Sequence, residues 1–187
     1  MRGAEYHLAV LEAALEEMEN YLLSQEVFWH VGGKRGLPSL TLSGLELSRR
    51  ALVALKGELD PASRRRFEEQ ESQIEAWRRK WRVAWERKAA AELKMRLNQW
   101  RAYLTDLEER PGEAQYYSQE VRIRAMASYL MGEAGHQTEI RVLRSTLESL
   151  DSRLKRLFRP GPFIWGPALQ SVYPPEAHWY LYGRPEA

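Results

Sequence analysis

Residues 77–88 hold the densest group of side chains that could do chemistry in this sequence. Trp77, Trp81 and Trp85 repeat at i, i+4 and i+8, among six basic groups and one acid. Arginine and lysine neutralise phosphates while aromatic rings stack on bases, so the pattern could bind nucleic acid. At helical spacing, however, the basic groups surround the helix instead of sharing the tryptophan face. We favour a buried tryptophan stripe flanked by long charged side chains.

The nucleic-acid interpretation remains the alternative, with phosphate contacts from the basic segment 64–88. Its candidate contacts are Arg64, Arg65, Arg66, Arg78, Arg79 and Arg82. Residues 61–110 carry 13 basic and nine acidic groups, whereas residues 1–26 carry one basic and six acidic groups. An acidic helix packed beside a basic helix would explain this asymmetry without any partner.

Two other local patterns suggest a site but lack parts of it. Glu133 and His136 have the i, i+3 spacing used in di-iron helix bundles, but the chain contains no second Glu-x-x-His. The run from Gly32 to Gly36 contains Lys34, but it lacks the spacing and the Ser or Thr of a phosphate-binding loop, so we interpret it as a loop tip.

The sequence lacks the residues and motifs that nucleophilic or thiolate catalysis requires. There is no cysteine, no histidine pair with zinc spacing and no Gly-x-Ser-x-Gly motif. Helix serines such as Ser145, Ser149 and Ser152 are interpreted as solvated positions. We predict no catalytic residue, no metal and no cofactor, and consider an enzyme less plausible than a non-enzymatic protein.

The overall composition is that of a globular protein. The 187 residues predict one domain or at most two small ones, and 44% apolar with 29% charged residues excludes wholesale disorder. The longest uncharged run, between Arg159 and Glu176, is broken by five prolines, so we expect no membrane span. Without a visible secretory signal we expect a cytoplasmic location. Abundant arginine and only two asparagines make the composition thermophile-like, although a GC-rich genome explains the arginine equally well.

Apolar spacing predicts the helices that must position these residues. We place them at about 4–24, 44–58, 61–110 and 114–158, in a helical-bundle domain 1–158. Asp60-Pro61 is a strong helix start, and Ser43 with Glu46 reads as a capping box. Gly132 and Gly135 predict a kink or short break in the fourth helix. Residues 25–43 could form a small β-hairpin or an irregular loop, and we favour the loop.

The third helix dominates the expected architecture. It runs 50 residues without Gly or Pro, roughly 70 Å at 1.5 Å per residue, and turns back at Pro111-Gly112 into an antiparallel neighbour. This predicts an all-α, elongated antiparallel bundle built on one long helical hairpin. Residues 159–187, rich in proline and aromatic residues, are predicted to form an extended C-terminal strap packed on the bundle or on a partner.

The predicted function follows from the tryptophan stripe. The two shorter helices cannot cover the whole hairpin, and exposed tryptophans would mark an interface. The candidate interface is Trp77, Trp81, Trp85 and Trp100. We therefore predict a non-enzymatic structural or interaction protein that acts as a homo-oligomer, most simply a homodimer, or as part of a complex with another protein. Nucleic-acid binding is the alternative.

Overall fold

The computed structural model describes residues 3–31, 36–135 and 138–186. Its long helices are α1 (Ala4–Leu23), α2 (Leu42–Ala54), α3 (Pro61–Lys80), α4 (Arg82–Glu109), α5 (Tyr117–Glu133) and α6 (Thr138–Leu157). They are followed by β1 (Phe158–Phe163), the short α7 (Pro175–His178) and β2 (Tyr182–Pro185). Short 3₁₀ helices lie at Lys56–Glu58, Pro111–Tyr116, Pro167–Val172 and Trp179–Leu181. The all-α class is confirmed, because the sheet within the described ranges has only two strands.

The single helix predicted over 61–110 is wrong, because the chain bends at Trp81. This residue has φ −115° and ψ 33°, outside the helical range, although its amide still donates to the Trp77 carbonyl at 2.9 Å. No glycine or proline marks the bend. The two halves pack on different partners, α3 mainly on α1 and α4 mainly on α5 and α6. We attribute the bend to this change of partner, which tertiary packing imposes and local sequence does not encode.

Helix α4 is the central element of the fold. The Trp85 indole near its start donates to Glu133 at the end of α5, and Tyr103 near its end donates to the Glu113 carbonyl just before α5. These contacts make α4 and α5 antiparallel. Helix α6 then runs parallel to α4, with Arg153 donating to Glu108 across the end of the pair. The core on these helices includes the fully buried rings of Trp85, Trp100, Tyr21, Tyr117 and Tyr180.

Helix α2 begins earlier than the capping box predicts and ends earlier, at Ala54. Thr41 is the N-cap, and its hydroxyl accepts from the Gly44 amide at 3.0 Å. Ser43 and Glu46 do not bond each other's backbone, because Ser43 donates to Glu92 of α4 and Glu46 accepts from Arg49 and Arg50 of its own helix. In the segment before α2, Trp29 and Leu40 form one isolated antiparallel β-bridge, and the described residues add no second pair, so this part of the chain lies between the loop and the hairpin alternatives.

The predicted fourth helix is divided into α5 and α6. Helix α5 ends at Glu133, and Gly135 adopts φ +72°, a left-handed conformation suited to glycine after a helix end. A side chain at Gly135 would also meet the Glu86 carboxylate at 2.8 Å. The break predicted from Gly132 and Gly135 is therefore present, with Gly135 as its cause.

The C-terminal segment folds back on its own chain and is not simply extended. Strands β1 and β2 pair antiparallel, with Phe158 opposite Pro185. The Tyr117 hydroxyl of α5 donates to the Tyr180 carbonyl at 2.7 Å, and the guanidinium of Arg124 lies 4.5 Å from the Tyr180 ring. We keep the name strap for residues 159–186, which pack on α2 and α5. In the described parts of the chain, no helix is both long and apolar enough to cross a bilayer.

Candidate functional site

The four tryptophans of the predicted interface have different environments. Trp85 and Trp100 are 1% and 0% exposed, covered by this chain's own helices, so they offer no surface to a second copy. Trp77 and Trp81, at the end of α3 and at the bend, are half-buried, with the Lys80 ammonium 5.1 and 5.5 Å from their rings. The structure therefore places only half of the predicted stripe within reach of a partner.

The arginines of the nucleic-acid alternative are exposed on α3 and at the start of α4. Arg66 lies within 3.5 Å of two glutamates of α1, Arg78 donates to Glu133 at 2.7 Å, and Arg82 donates to Glu86 at 2.8 Å. Arg64 donates to the Lys56 carbonyl. Arg65 and Arg79 form no ion pair within the described ranges. Three of the six candidate arginines are thus already paired with glutamates of the same chain.

The two incomplete motifs do not form a site in the part of the chain that the structure describes. Glu133 accepts hydrogen bonds from Trp85 at 2.9 Å and from Arg78, and burial raises its pKa despite the positive charge of Arg78. Its proposed partner His136, and most of the Gly32–Gly36 run, lie outside the described residues. No group of three or more metal-ligating side chains occurs among the described residues.

A groove of about 680 Å³ opens where α1, α2, α4, α5, the strap and the segment between α1 and α2 meet, and we call it the aromatic groove. It is lined by Tyr6, His7, Phe28, Pro38, Ser39, Thr41, Gly44, Leu47, Ser48, Ala51, Arg96, Arg122, Met126, Trp165, Leu169 and Tyr173. Ligand pockets usually have 300–1,000 Å³ and mix aromatic walls with a few polar groups, so both the size and the lining fit a binding site.

One wall of the aromatic groove is the segment between α1 and α2, which buried charges hold against α4. The Glu92 carboxylate, fully buried, accepts from the amide of Ser43 at 3.2 Å and from the Ser43 hydroxyl. The Lys88 ammonium donates to the carbonyls of Ser24 and Glu26 at 2.9 and 2.7 Å. Burial lowers the pKa of Lys88, and the neighbouring Arg87 adds to the effect. The wall is thus fixed at both of its ends.

Arg96 forms the polar floor of the groove. Its guanidinium donates to Glu92 from Nε at 3.2 Å and from Nη2 at 3.0 Å, and to Gln99 from Nη1 at 3.2 Å. It also lies 5.1 Å from the centre of the Phe28 ring, within cation–π range. Phe28 itself is 40% exposed, a large ring held at the groove mouth by a buried cation.

The opposite wall is supplied by the strap. The Trp165 indole donates to the Ser118 carbonyl at the start of α5 at 2.9 Å, and its ring meets that of Tyr173 edge-on at 5.1 Å. The Arg50 guanidinium of α2 lies 5.1 Å from the centre of the Tyr173 ring, and its Nη1 lies 3.2 Å from Nε2 of His178. These contacts hold both aromatic rings in a defined orientation in the groove wall.

The electrostatics of the aromatic groove favour an anion. No aspartate or glutamate lines it within the described ranges. The charge of Arg96 is balanced from below by Glu92, whereas Arg122, exposed on α5, forms no ion pair with any described residue. Arg122 is therefore the cation most accessible to a ligand.

Sequence reasoning missed the aromatic groove because its lining comes from distant segments with no shared spacing. The pair Glu92 and Arg96, four residues apart on α4, is a local signal, but pairs at this spacing are common on exposed helix surfaces as well. Comparison with protein-family models, curated proteins and solved structures gives no match to this chain.

Proposed function

We propose that this chain is a non-enzymatic interaction protein, part of a complex, and that the aromatic groove is its binding surface. The partner that fits is a protein segment with an apolar or aromatic side chain next to a carboxylate. The observation that carries the proposal is a prearranged aromatic groove with cations and no described acid in its lining. Aromatic rings held in a defined orientation favour binding because less conformational freedom is lost on association.

The homodimer predicted from the tryptophan stripe receives less support than a complex with another protein. Two of its four residues, Trp85 and Trp100, are occupied inside the chain. A second copy that used the aromatic groove remains an outcome of the test below, because it would raise the mass in solution and close the groove to small probes.

Two naphthalene probes that differ in charge test the proposal. N-phenyl-1-naphthylamine is neutral, and 1-anilinonaphthalene-8-sulfonate carries the same rings with an anionic group. We expect both to bind the monomer at one saturable site, with the sulfonate tighter. Arg122→Glu should weaken the sulfonate about tenfold or more and leave the neutral probe nearly unchanged, because a favourable charge contact becomes repulsive.

A filling variant distinguishes the groove from other apolar surface. Ser48→Trp projects an indole into the groove and should abolish binding of both probes, while Ser72→Trp, on the exposed side of α3, should not. If Ser48→Trp fails to fold, Ser39→Trp at the exposed rim replaces it. Light scattering at each protein concentration gives the mass. Unchanged binding in the filled groove, or no saturable binding by the wild type, contradicts the proposal.

A further inference from the structure

A second groove, which we call the α4–α6 groove, has a different lining. It measures about 520 Å³ and contains three arginines, Arg101, Arg141 and Arg153, with three hydroxyls, Ser145, Thr146 and Ser149. Two aliphatic residues complete it, and no acid of the described chain lines it. We propose that the α4–α6 groove binds the phosphate backbone of a nucleic acid. This site is separate from the aromatic groove and does not depend on it.

The spacing of the donors on α6 matches an extended polyanion. Arg141, Ser145, Ser149 and Arg153 follow one another at steps of four residues, so they form one row along the helix. The row spans roughly 18 Å at 1.5 Å per residue. One strand of duplex DNA places a phosphate about every 3.4 Å along the duplex axis but winds around that axis, so a straight row of this length faces some of the phosphates that it spans. Guanidinium and hydroxyl groups are the side-chain donors that most often contact phosphates.

The charge in the α4–α6 groove is available to a ligand. Arg101 and Arg141 are exposed and form no ion pair with any residue that the structure describes; Arg101 donates from Nη1 to Asn98 at 2.9 Å. Arg153 differs, since it donates to Glu108 at 2.7 Å and to Thr105 at 3.0 Å. Arg101 and Arg141 thus supply the charge, while Arg153 ties α6 to α4 and fixes the width of the groove.

The lining also indicates which part of a nucleic acid is contacted. No aromatic side chain lines the groove among the described residues, so there is no platform on which bases could stack. Contact with phosphates alone gives binding that is independent of sequence and strongly salt-dependent. In the segment 64–88, by contrast, Arg66, Arg78 and Arg82 are already paired with acids.

Fluorescence anisotropy with a fluorescein-labelled DNA duplex of random sequence tests the inference. We expect binding in about 50 mM salt that weakens steeply by about 200 mM. Arg101→Glu with Arg141→Glu should reduce affinity at least about tenfold and lower the salt slope by about 2. The matched control, Arg65→Glu with Arg79→Glu, makes the same charge change on α3 and should leave affinity within about twofold.

Two further variants separate charge from hydrogen bonding and from misfolding. Ser145→Ala with Ser149→Ala should weaken binding modestly without changing the salt slope, because no charge is removed. Arg101→Gln with Arg141→Gln is the milder replacement if the glutamate pair fails to fold, and its loss should be smaller but in the same direction.

Three outcomes would overturn the inference. One is that the wild type does not bind the duplex at low salt, and another is that the two double glutamate variants lose equal affinity. Binding to phosphatidylglycerol vesicles without binding to the duplex would also overturn it. Neutral-probe binding in the aromatic groove should be unaffected by the glutamate pair at Arg101 and Arg141. Its retention separates failure of this inference from failure of the proposed function.

Discussion

The Glu92→Ala substitution tests how much the buried network behind the wall of the aromatic groove contributes to stability. The Glu92 carboxylate is 0% exposed and accepts from the Ser43 amide, the Ser43 hydroxyl and two atoms of Arg96. Alanine leaves the guanidinium of Arg96, itself 8% exposed, without its counter-charge. It also leaves the buried Ser43 amide, near the start of α2, without its acceptor.

The expected loss of stability is large for a single residue. Removing one partner of a buried ion pair costs about 3–5 kcal/mol. A matched control is Glu86→Ala in the same helix, because its partner Arg82 is 78% exposed and an exposed pair contributes about 0–1 kcal/mol. With a urea dependence of about 2 kcal/mol/M, the unfolding midpoint should fall by about 1.5–2.5 M for Glu92→Ala, against less than about 0.5 M for the control.

A double variant separates the buried charge from the lost volume. Glu92→Met with Arg96→Met removes both charges together and should recover most of the stability that Glu92→Ala loses, since apolar replacement of a buried pair is often neutral. Urea unfolding followed by circular dichroism gives all four midpoints. Equal shifts for Glu92→Ala and Glu86→Ala, or a double variant no more stable than Glu92→Ala, would refute the reasoning.

Two more predictions concern His178 of the strap and a pair of glycines. Burial, and then the charges of Arg50 and Arg124, lower the pKa of His178 in the folded protein, although its bond to a backbone carbonyl opposes this. The unfolded chain therefore takes up the proton first, and stability should fall as pH drops below about 6.5. Urea midpoints at about pH 7 and 5.5 should differ less for His178→Gln than for the wild type, and an equal difference would assign the effect elsewhere. Gly183→Ala should destabilise by more than about 2 kcal/mol, because Gly183 has φ +142° and a Cβ would lie 2.1 Å from the Arg159 carbonyl oxygen. Gly132→Ala, in a helix with open space around it, should stabilise by up to about 1 kcal/mol. Urea unfolding measures both variants, and a stabilised Gly183→Ala or a clearly destabilised Gly132→Ala would contradict this account of the glycines.

Local chemistry made part of the fold predictable. Asp60 accepts from the amides of Ala62 and Ser63 at 2.8 and 3.0 Å, and α3 begins at Pro61, as the Asp-Pro pair predicts. The same type of reasoning was wrong for Ser43 and Glu46. Ser43 donates instead to Glu92, a contact that only the folded chain supplies. Glu46 accepts from Arg49 and Arg50 in its own helix, so a competing local pair replaces the capping box.

The candidate site was harder to predict, because the burial of a side chain and the bending of a helix both depend on which other helices pack against it. The stripe from Trp77 to Trp100 was identified from its spacing, but spacing does not tell which rings the chain covers itself. The bend at Trp81 could not be predicted from the sequence, because no glycine or proline lies there. The row from Arg141 to Arg153 was visible in the sequence at steps of four residues, but only the structure places Arg101 of α4 across from it.

The most direct test of the aromatic groove as a binding surface is a titration of the ¹⁵N-labelled protein with 1-anilinonaphthalene-8-sulfonate, followed through the tryptophan indole signals. The Trp165 indole lies in the groove wall, so its signal, assigned with Trp165→Phe, should shift and saturate with the probe. The signal of Trp100, buried in the core, should stay unchanged. Shifts confined to Trp77 and Trp81, with Trp165 unmoved, would contradict the account and restore the tryptophan stripe as the binding surface.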